Sequence, residues 1–397
     1  MTDFSWGILA PEDVPSLRRT RTLELASVVR HFNECSVPGI GGIYYAMPIV
    51  WAVLAIALCE DEEVQVHCRS PRRLQTANAI EARVMWTALR KGGDMSRGIG
   101  HRKLANRGEG DATFRALARQ GAYVTQPLRM RTVQALPALG FVSSGGTRFN
   151  DYSLAEPGGE ICEIYRREYN ALKRWMMEYE SPKSLKHLFP SGKVREEARQ
   201  IIQRQLLERG RDSNRRRALQ ELGMRGAALL ASAKACPPPL SRDHFADIRA
   251  GIAFIDLRDA ALAVLNQVEN YLQKQGGRPS KATCGQLARN TAVAEKLAFL
   301  TSTAKQMLDH VDSSSGHSAH SFARICLGSA TNVISSLARR DGTVVIEQGD
   351  HLFLGPAAGG EIEESTAAEN HSMSEENDYP PQLPRIANFY ALLEDLA

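Results

Sequence analysis

Polar hydrogen-bond donors are concentrated in one short stretch of the chain. It contains Gln126, Arg129, Met130, Arg131, Thr132 and Gln134. Arginine can donate two hydrogen bonds to the edge of a guanine, and glutamine can pair in the same way with adenine. These residue types therefore point to recognition of nucleic acid. Arg129 and Arg131 lie about 200° apart on a helix, so one is expected to face a groove while the other contacts a phosphate or is structural.

Two helices separated by a tight turn are predicted to position these donors. The first covers residues 113–120, with an apolar face ended by Gly121. Thr125 is suited to cap the second helix, and Pro137 is expected to kink its last turn. The apolar stripe of the second helix consists of Leu128, Val133, Leu136 and Leu139.

A hairpin is predicted after this second helix. Gly140 ends the helix, residues 141–142 start a strand, Gly145-Gly146 form the turn, and residues 148–154 return. The segment ALPALGFV…RFNDYSLAEPG resembles the recognition helix and wing of winged helix-turn-helix regulators of the multiple-antibiotic-resistance type. The resemblance covers residues 111–159 of 397. It implies a helix in the major groove and a wing, tipped by Thr147 and Arg148, against the backbone or minor groove.

The charge distribution favours the same interpretation. Residues 69–148 hold fifteen Lys/Arg and four Asp/Glu, whereas residues 361–378 hold seven acidic residues and no basic one. A glycine- and arginine-rich loop precedes the winged segment, and its cations are candidates for phosphate contacts or simply for solvation. They are Arg97, Arg102, Lys103 and Arg107.

The sequence signals for metal sites and phosphate-binding loops are weaker. His310, His317 and His320 stand near two aspartates and could hold a metal, but a polar loop between helices would have the same composition. The seven cysteines occur singly, which favours a reducing compartment and argues against a zinc ribbon. The sequence PGIGG (residues 38–42) could cradle a phosphate, yet it lacks the lysine and hydroxyl residue of a Walker loop.

One uncharged stretch of the sequence raises the question of a membrane span. Residues 36–59 contain no charged side chain, but glycines and Pro48 interrupt the first half. About twenty good helical residues are needed to span a bilayer, so a buried core helix is the preferred interpretation. Residues 63–68 (EVQVHC) alternate in polarity and predict a short strand, followed by a helix over residues 74–90.

The predicted architecture is mainly α, with an embedded winged helix-turn-helix and a C-terminal helical bundle domain. Residues 339–355 also suggest a helix followed by a hairpin, and therefore a second winged-helix-like unit. The predicted regions are an N-terminal helical region with a buried apolar helix (1–110), the winged helix with its following helix (111–180), a charged helical connector (181–236), a bundle ending in a β-hairpin (237–356) and an acidic flexible tail with a terminal docking helix (357–397).

The leading hypothesis is a non-enzymatic, cytoplasmic DNA-binding regulator without a cofactor. It would also suit a subunit of a bacterial multi-protein complex, for example one connected with mobile elements or antiviral defence. Protein partners or self-association are expected through residues 244–337, and docking through residues 386–396. The alternatives are a metal-dependent nuclease and an adaptor whose winged helix binds protein.

Overall fold

The structure is a computed structural model that describes residues 21, 23–90, 98–119, 121–124, 126–178, 185, 189, 193–275, 280–358 and 383–397. Arg97 and the acidic segment 361–378 lie outside these residues. The chain forms two compact units. The larger unit consists of Phe32–Arg249 and His371–Ala397, and the smaller unit of Met1–His31 and Ala250–Asn370. As predicted, the fold is mainly helical, with a few short strands.

The centre of the larger unit is an apolar helix. The first four helices are α1 (Ala26–Ser36), α2 (Met47–Glu60), α3 (Glu62–His67) and α4 (Arg73–Arg90). Every residue of α2 from Met47 to Cys59 is buried, because this helix is apolar on all sides and is covered by α4 and other elements. The predicted core helix is therefore confirmed. In the described part of the chain, no helix combines the length and apolarity that a bilayer span requires.

The strand predicted for residues 63–68 is wrong, since α3 occupies this segment. The Asp61 carboxylate accepts a hydrogen bond from the Val64 amide at 3.1 Å and so caps the helix. The same carboxylate binds the Tyr169 hydroxyl and the Lys173 ammonium, each at 2.8 Å. These distant contacts fix the cap, which outweighs the weak alternation of the sequence.

Short elements build the region around the predicted winged segment. They are α5 (His101–Ala105), α6 (Phe114–Leu117), α7 (Arg129–Thr132), α8 (Ala135–Ala138), β1 (Val142–Ser144), β2 (Tyr152–Leu154), α9 (Glu156–Ile164) and α10 (Arg166–Met176). Strands β1 and β2 pair antiparallel, with Val142 opposite Leu154. The predicted hairpin is present, whereas the predicted second helix is divided into α7 and α8.

Three further helices complete the larger unit. They are α11 (Glu196–Arg204), which continues into a π-helical turn over Gln205–Arg209, α12 (Ser213–Ala228) and α18 (Pro384–Asp395). The terminal helix α18 docks on its own chain. Phe389 and Leu392 are fully buried, and the Tyr390 hydroxyl donates to the Leu219 carbonyl at 2.6 Å. The apolar face that was expected to dock through residues 386–396 is therefore occupied within this unit.

A three-stranded sheet and several helices form the smaller unit. After α13 (Arg242–Lys274), which begins in the larger unit, come β3 (Lys281–Thr283), α14 (Cys284–Arg289), α15 (Thr291–Leu308), α16 (Ser318–Cys326), α17 (Ala330–Asp341), β4 (Val345–Gln348) and β5 (His351–Leu354). The strand order is β3-β5-β4, all antiparallel. The strand–turn–strand predicted near residues 339–355 is present, and β3 is an addition that the sequence did not suggest.

A buried ion network ties the smaller unit together. Arg21 binds Glu269 and Asp341, each at 3.0 Å, and all three side chains are at most 7% exposed. Asp341 also accepts hydrogen bonds from the amides of Val344 and Val345. The carboxylate therefore joins the end of α17 to the start of β4.

Candidate nucleic-acid interface

The wing is anchored at its base and exposed at its tip. At the base, Phe149 is buried and the Tyr152 hydroxyl donates to the Val133 carbonyl at 2.6 Å. Residues 143–148 are all exposed, including the predicted contacts Thr147 and Arg148. The hairpin thus presents a short, accessible loop that carries one arginine.

A carboxylate from α4 caps the beginning of α7. Glu81 is 2% exposed and accepts hydrogen bonds from the backbone amides of Leu128, at 2.7 Å, and Arg129, at 3.0 Å. Burial raises the pKa of Glu81 to about 7, although these two amides, the Tyr123 hydroxyl and the Arg129 guanidinium oppose that shift. The start of α7 is consequently fixed by α4.

Two of the predicted contact residues point into the protein. Arg129 is 9% exposed, and its Nε donates to Asn78 Oδ1 at 2.7 Å. Burial lowers the pKa of Arg129, and the charge of Glu81 opposes this effect. Thr132 is fully buried, with its hydroxyl bonded to the Arg129 carbonyl. Arg129 is thus the structural member of the Arg129/Arg131 pair, and the assignment of Arg129 and Thr132 to an external ligand is corrected.

The glycine-rich loop after α1 covers another face of α7 and α8. The Gly42 amide donates to the Arg131 carbonyl at 3.3 Å, and the Gly39 amide donates to Glu34 at 2.8 Å. A Cβ on Gly41 would lie 2.5 Å from the same Arg131 carbonyl oxygen. These amides are used for packing and capping, so the loop does not form the phosphate cradle that PGIGG suggested.

A testable consequence concerns this close approach. Gly41 has a φ of +57°, and an alanine there would press on α7, so Gly41→Ala is expected to destabilise the larger unit by about 1–3 kcal/mol. Gly159, inside α9, has no atom within 4 Å of its added Cβ, so Gly159→Ala is the control and should be neutral or slightly stabilising. Denaturant unfolding measures both variants, and equal stabilities would contradict the packing described here.

The remaining predicted contact residues, on α7 and beside α7 and α8, are partly accessible to solvent. Gln126 and Met130 are exposed. Arg131 is half-buried, and its guanidinium lies over the Tyr44 ring, 5.0 Å from the ring centroid. Gln134 is exposed but accepts a hydrogen bond from Arg385 of α18 at 2.6 Å. The helix therefore offers only a narrow accessible edge.

The cations of the basic segment before the winged segment differ in their contacts. Arg102 and Lys103 are exposed on α5. Arg107 is half-buried, and its guanidinium donates to the Ala122 carbonyl at 2.8 Å while its own carbonyl accepts from Trp86. Arg107 therefore joins the end of this segment to Ala122 and Trp86, and Arg102 and Lys103 are exposed cations on α5.

Sequence reasoning missed two exposed arginines near the wing. Arg69 and Arg72 are exposed in the turn between α3 and α4. The wing residue Asn150 binds this region, because its side chain accepts from the Leu74 amide at 2.9 Å and its carbonyl accepts from Arg73 at 3.1 Å. The cluster RSPRR was the available signal, but it follows the segment interpreted as a strand.

The histidine-rich loop is organised by an aspartate. Asp312 accepts hydrogen bonds from the Ser314 and His320 amides, and its own carbonyl lies 3.1 Å from His317 Nδ1. The His320 ring contacts the His310 carbonyl at 2.8 Å. Within the described residues, no three His, Cys, Asp or Glu side chains come together in a way that could hold a metal.

Comparison of the chain with protein-family models, with curated proteins and with solved structures gives no match.

Proposed function

We propose that the chain is a non-enzymatic protein that binds duplex DNA through a winged helix-turn-helix over residues 111–159, as a regulator or as a subunit of a larger assembly. The observation that carries this proposal is the exposed wing tip with Arg148, which follows α6 and the divided second helix, α7 and α8, in the order expected of that motif. The surrounding elements contribute further accessible cations.

Phosphate contacts dominate the proposed binding mode. Arg102 and Lys103 on α5 and Arg148 on the wing are exposed, and such cations supply affinity that does not depend on sequence. The inward orientation of Arg129 and Thr132 removes two of the base-reading groups expected from the sequence. Sequence preference would therefore be weak and would come from Gln126, Gln134 and the accessible part of Arg131.

The same order of helix and hairpin supports a second winged-helix-like unit, formed by α17, β4 and β5. The charges of this second unit are less suited to binding phosphate than those of residues 111–159. Arg339 pairs with Glu347, and the turn between the strands carries Asp350. We therefore do not assign DNA binding to this second unit.

An adaptor that binds protein is the second candidate. Met130 is 50% exposed on α7, beside an arginine that is turned inward. A flexible apolar side chain at this position suits a protein partner better than a phosphate backbone. The DNA-binding experiment separates the two functions.

Titration of the full chain with duplex DNA at several salt concentrations tests the proposal. Changing Arg102, Lys103 and Arg148 to glutamine is expected to reduce duplex affinity about tenfold or more at low salt, and each lost phosphate contact should lower the salt slope by about one. The control is Arg217→Gln, an exposed arginine on α12, which should leave binding unchanged. Single-stranded DNA in parallel shows whether the duplex is preferred.

Two outcomes of this titration would contradict the proposal. If the wild-type chain binds neither duplex nor single-stranded DNA at low salt, the nucleic-acid proposal is wrong and the adaptor takes its place. Equal affinities of the wild-type and triple-variant proteins would place the interface away from α5 and the wing.

A further inference from the structure

We propose that a cavity between the α3–α4 turn and the wing binds one phosphate of the DNA backbone. This proposal rests on the proposed function and adds a contact that no base-reading scheme requires. We call the cavity the corner pocket. It is lined by Cys59, Gln65, Ser70, Pro71, Arg72, Arg73 and Asn150.

The corner pocket has the size and polarity for an oxyanion. Its volume is about 290 Å³, several times the roughly 30 Å³ that one water molecule occupies in the liquid. Residues with hydroxyl, amide and guanidinium side chains line it together, namely Ser70, Gln65 and Arg72. Such donors are those that phosphate oxygens accept from in protein–DNA interfaces.

The charge balance of the corner pocket is positive. Arg73 is neutralised by Glu60, 3.2 Å away, and Glu60 also accepts from the Leu154 amide. Arg72 is different. In the part of the chain that the structure describes, its exposed guanidinium forms no ion pair. One uncompensated arginine therefore lines the cavity.

The walls of the corner pocket are held in place by hydrogen bonds. The Gln65 side chain donates to the Cys59 carbonyl at 3.0 Å, and the Ser70 amide donates to the Gln65 carbonyl at 2.9 Å. From the wing, Asn150 binds the Leu74 amide and Arg73. A site formed in this way needs little ordering when the ligand arrives.

The position beside the wing favours a backbone phosphate over a free ion. Asn150 lines the corner pocket and stands two residues after Arg148, the cation of the wing tip. A strand that passes the wing presents phosphates in series along its length. Arg148 and the corner pocket can therefore take phosphates of the same strand.

A matched pair of substitutions at Ser70 provides the test. Ser70 has a φ of +58°, a conformation that asparagine and aspartate both adopt more readily than most residues. Ser70→Asp places a carboxylate in the corner pocket, and Ser70→Asn places a neutral group of the same shape there. We expect Ser70→Asp to weaken duplex binding about tenfold relative to Ser70→Asn, because the carboxylate repels a phosphate.

Arginine substitutions supply a second comparison. Arg72→Gln should weaken duplex binding and lower the salt slope by about one, whereas Arg69→Gln, at an exposed arginine that does not line the cavity, should have a smaller effect. If Ser70→Asp and Ser70→Asn bind the duplex equally well, the corner pocket holds no phosphate. The proposed function is tested separately, by the variant in which Arg102, Lys103 and Arg148 are changed to glutamine.

Titration with inorganic phosphate separates the two sources of the ligand. We expect NMR signals of the Ser70 and Arg72 amides to move on addition of duplex at concentrations where inorganic phosphate moves them little. A response to inorganic phosphate at Ser70 without any response to duplex would overturn the assignment to a backbone phosphate.

Discussion

Removal of residues 383–397 is expected to unfold the larger unit. The terminal helix α18 and the two residues that flank it contribute apolar side chains that are almost completely buried, namely Leu383, Ile386, Phe389, Leu392 and Leu396. Burying one such side chain stabilises a fold by about 1.5–3 kcal/mol, and a domain has a net stability of only about 5–15 kcal/mol. Loss of the whole set is therefore as large as the net stability of a domain.

Polar contacts of α18 add to this loss. Asp395 accepts a hydrogen bond from the Ala46 amide at the start of α2, at 2.9 Å. Arg385 is 7% exposed and pairs with Glu34. Without α18, the Ala46 amide, the Glu34 carboxylate and the apolar surface beneath the helix would face water.

Tryptophan fluorescence measures the effect, because Trp51, Trp86 and Trp175 all lie in the larger unit. The truncated chain should lack a cooperative transition in denaturant. In the full chain, Phe389→Ala is expected to cost about 3–5 kcal/mol, whereas the exposed Glu394→Ala should change stability by less than about 0.5 kcal/mol. A truncated chain with the wild-type transition would show that the core does not need α18.

The sequence correctly indicates an apolar face on α18 but cannot identify what covers it. Residues such as Phe389 and Leu392 predict docking, and the same stripe suits a partner protein or the chain itself. The covering surface includes Leu219, which is 171 residues from Tyr390 along the chain. Local periodicity contains no information about a contact at that separation.

For a similar reason, the sequence did not predict that Arg129 is buried. A helical wheel shows that Arg129 and Arg131 diverge, but it does not show which side of the helix the rest of the chain covers. Glu81 and Asn78 on α4 decide this, through the backbone amide and the guanidinium of Arg129. By contrast, α2 was predictable because an all-apolar helix has only one stable environment in water.

The alternation at residues 63–68 was misleading for another reason. Six residues are too few to separate a period of two from a helical turn with one buried position, and only Val64 of α3 is buried. Asp61 and its partners Tyr169 and Lys173 select the helix. The corner pocket was hidden for the same reason, since its position depends on the turn that follows α3.

The stability of the larger unit is expected to fall as pH rises from about 5 to 8, with Glu81 as a main cause. The pKa of Glu81 is about 7 in the folded chain, against an ordinary value of 4.5. The folded chain therefore holds a proton that the unfolded chain has already released. The stability linked to this proton is complete below pH 4.5 and is lost as pH rises through 7. Each unit of difference between the folded and unfolded pKa values corresponds to about 1.4 kcal/mol.

The groups around Glu81 determine the size of this effect. The amides of Leu128 and Arg129, the Tyr123 hydroxyl and the Arg129 guanidinium all favour the ionised carboxylate, and burial opposes it more strongly. Burial also raises the pKa of Tyr123 well above its ordinary value, so that hydroxyl keeps its proton across this range. The carboxyl of Glu81 is therefore the group of this cluster that titrates near neutrality.

Glu81→Gln is the decisive variant, because an amide of the same shape cannot ionise and still offers an oxygen to the start of α7. Denaturant unfolding followed by tryptophan fluorescence should show a wild-type stability that declines by about 2.5 kcal/mol between pH 5 and 8, and a much flatter curve for Glu81→Gln. The control is Glu156→Gln, at an exposed carboxylate on α9, which should keep the wild-type slope. Parallel curves for the wild type and Glu81→Gln would mean that Glu81 is already ionised at pH 5. The Leu128 and Arg129 amides would then hold a full negative charge at every pH in the range.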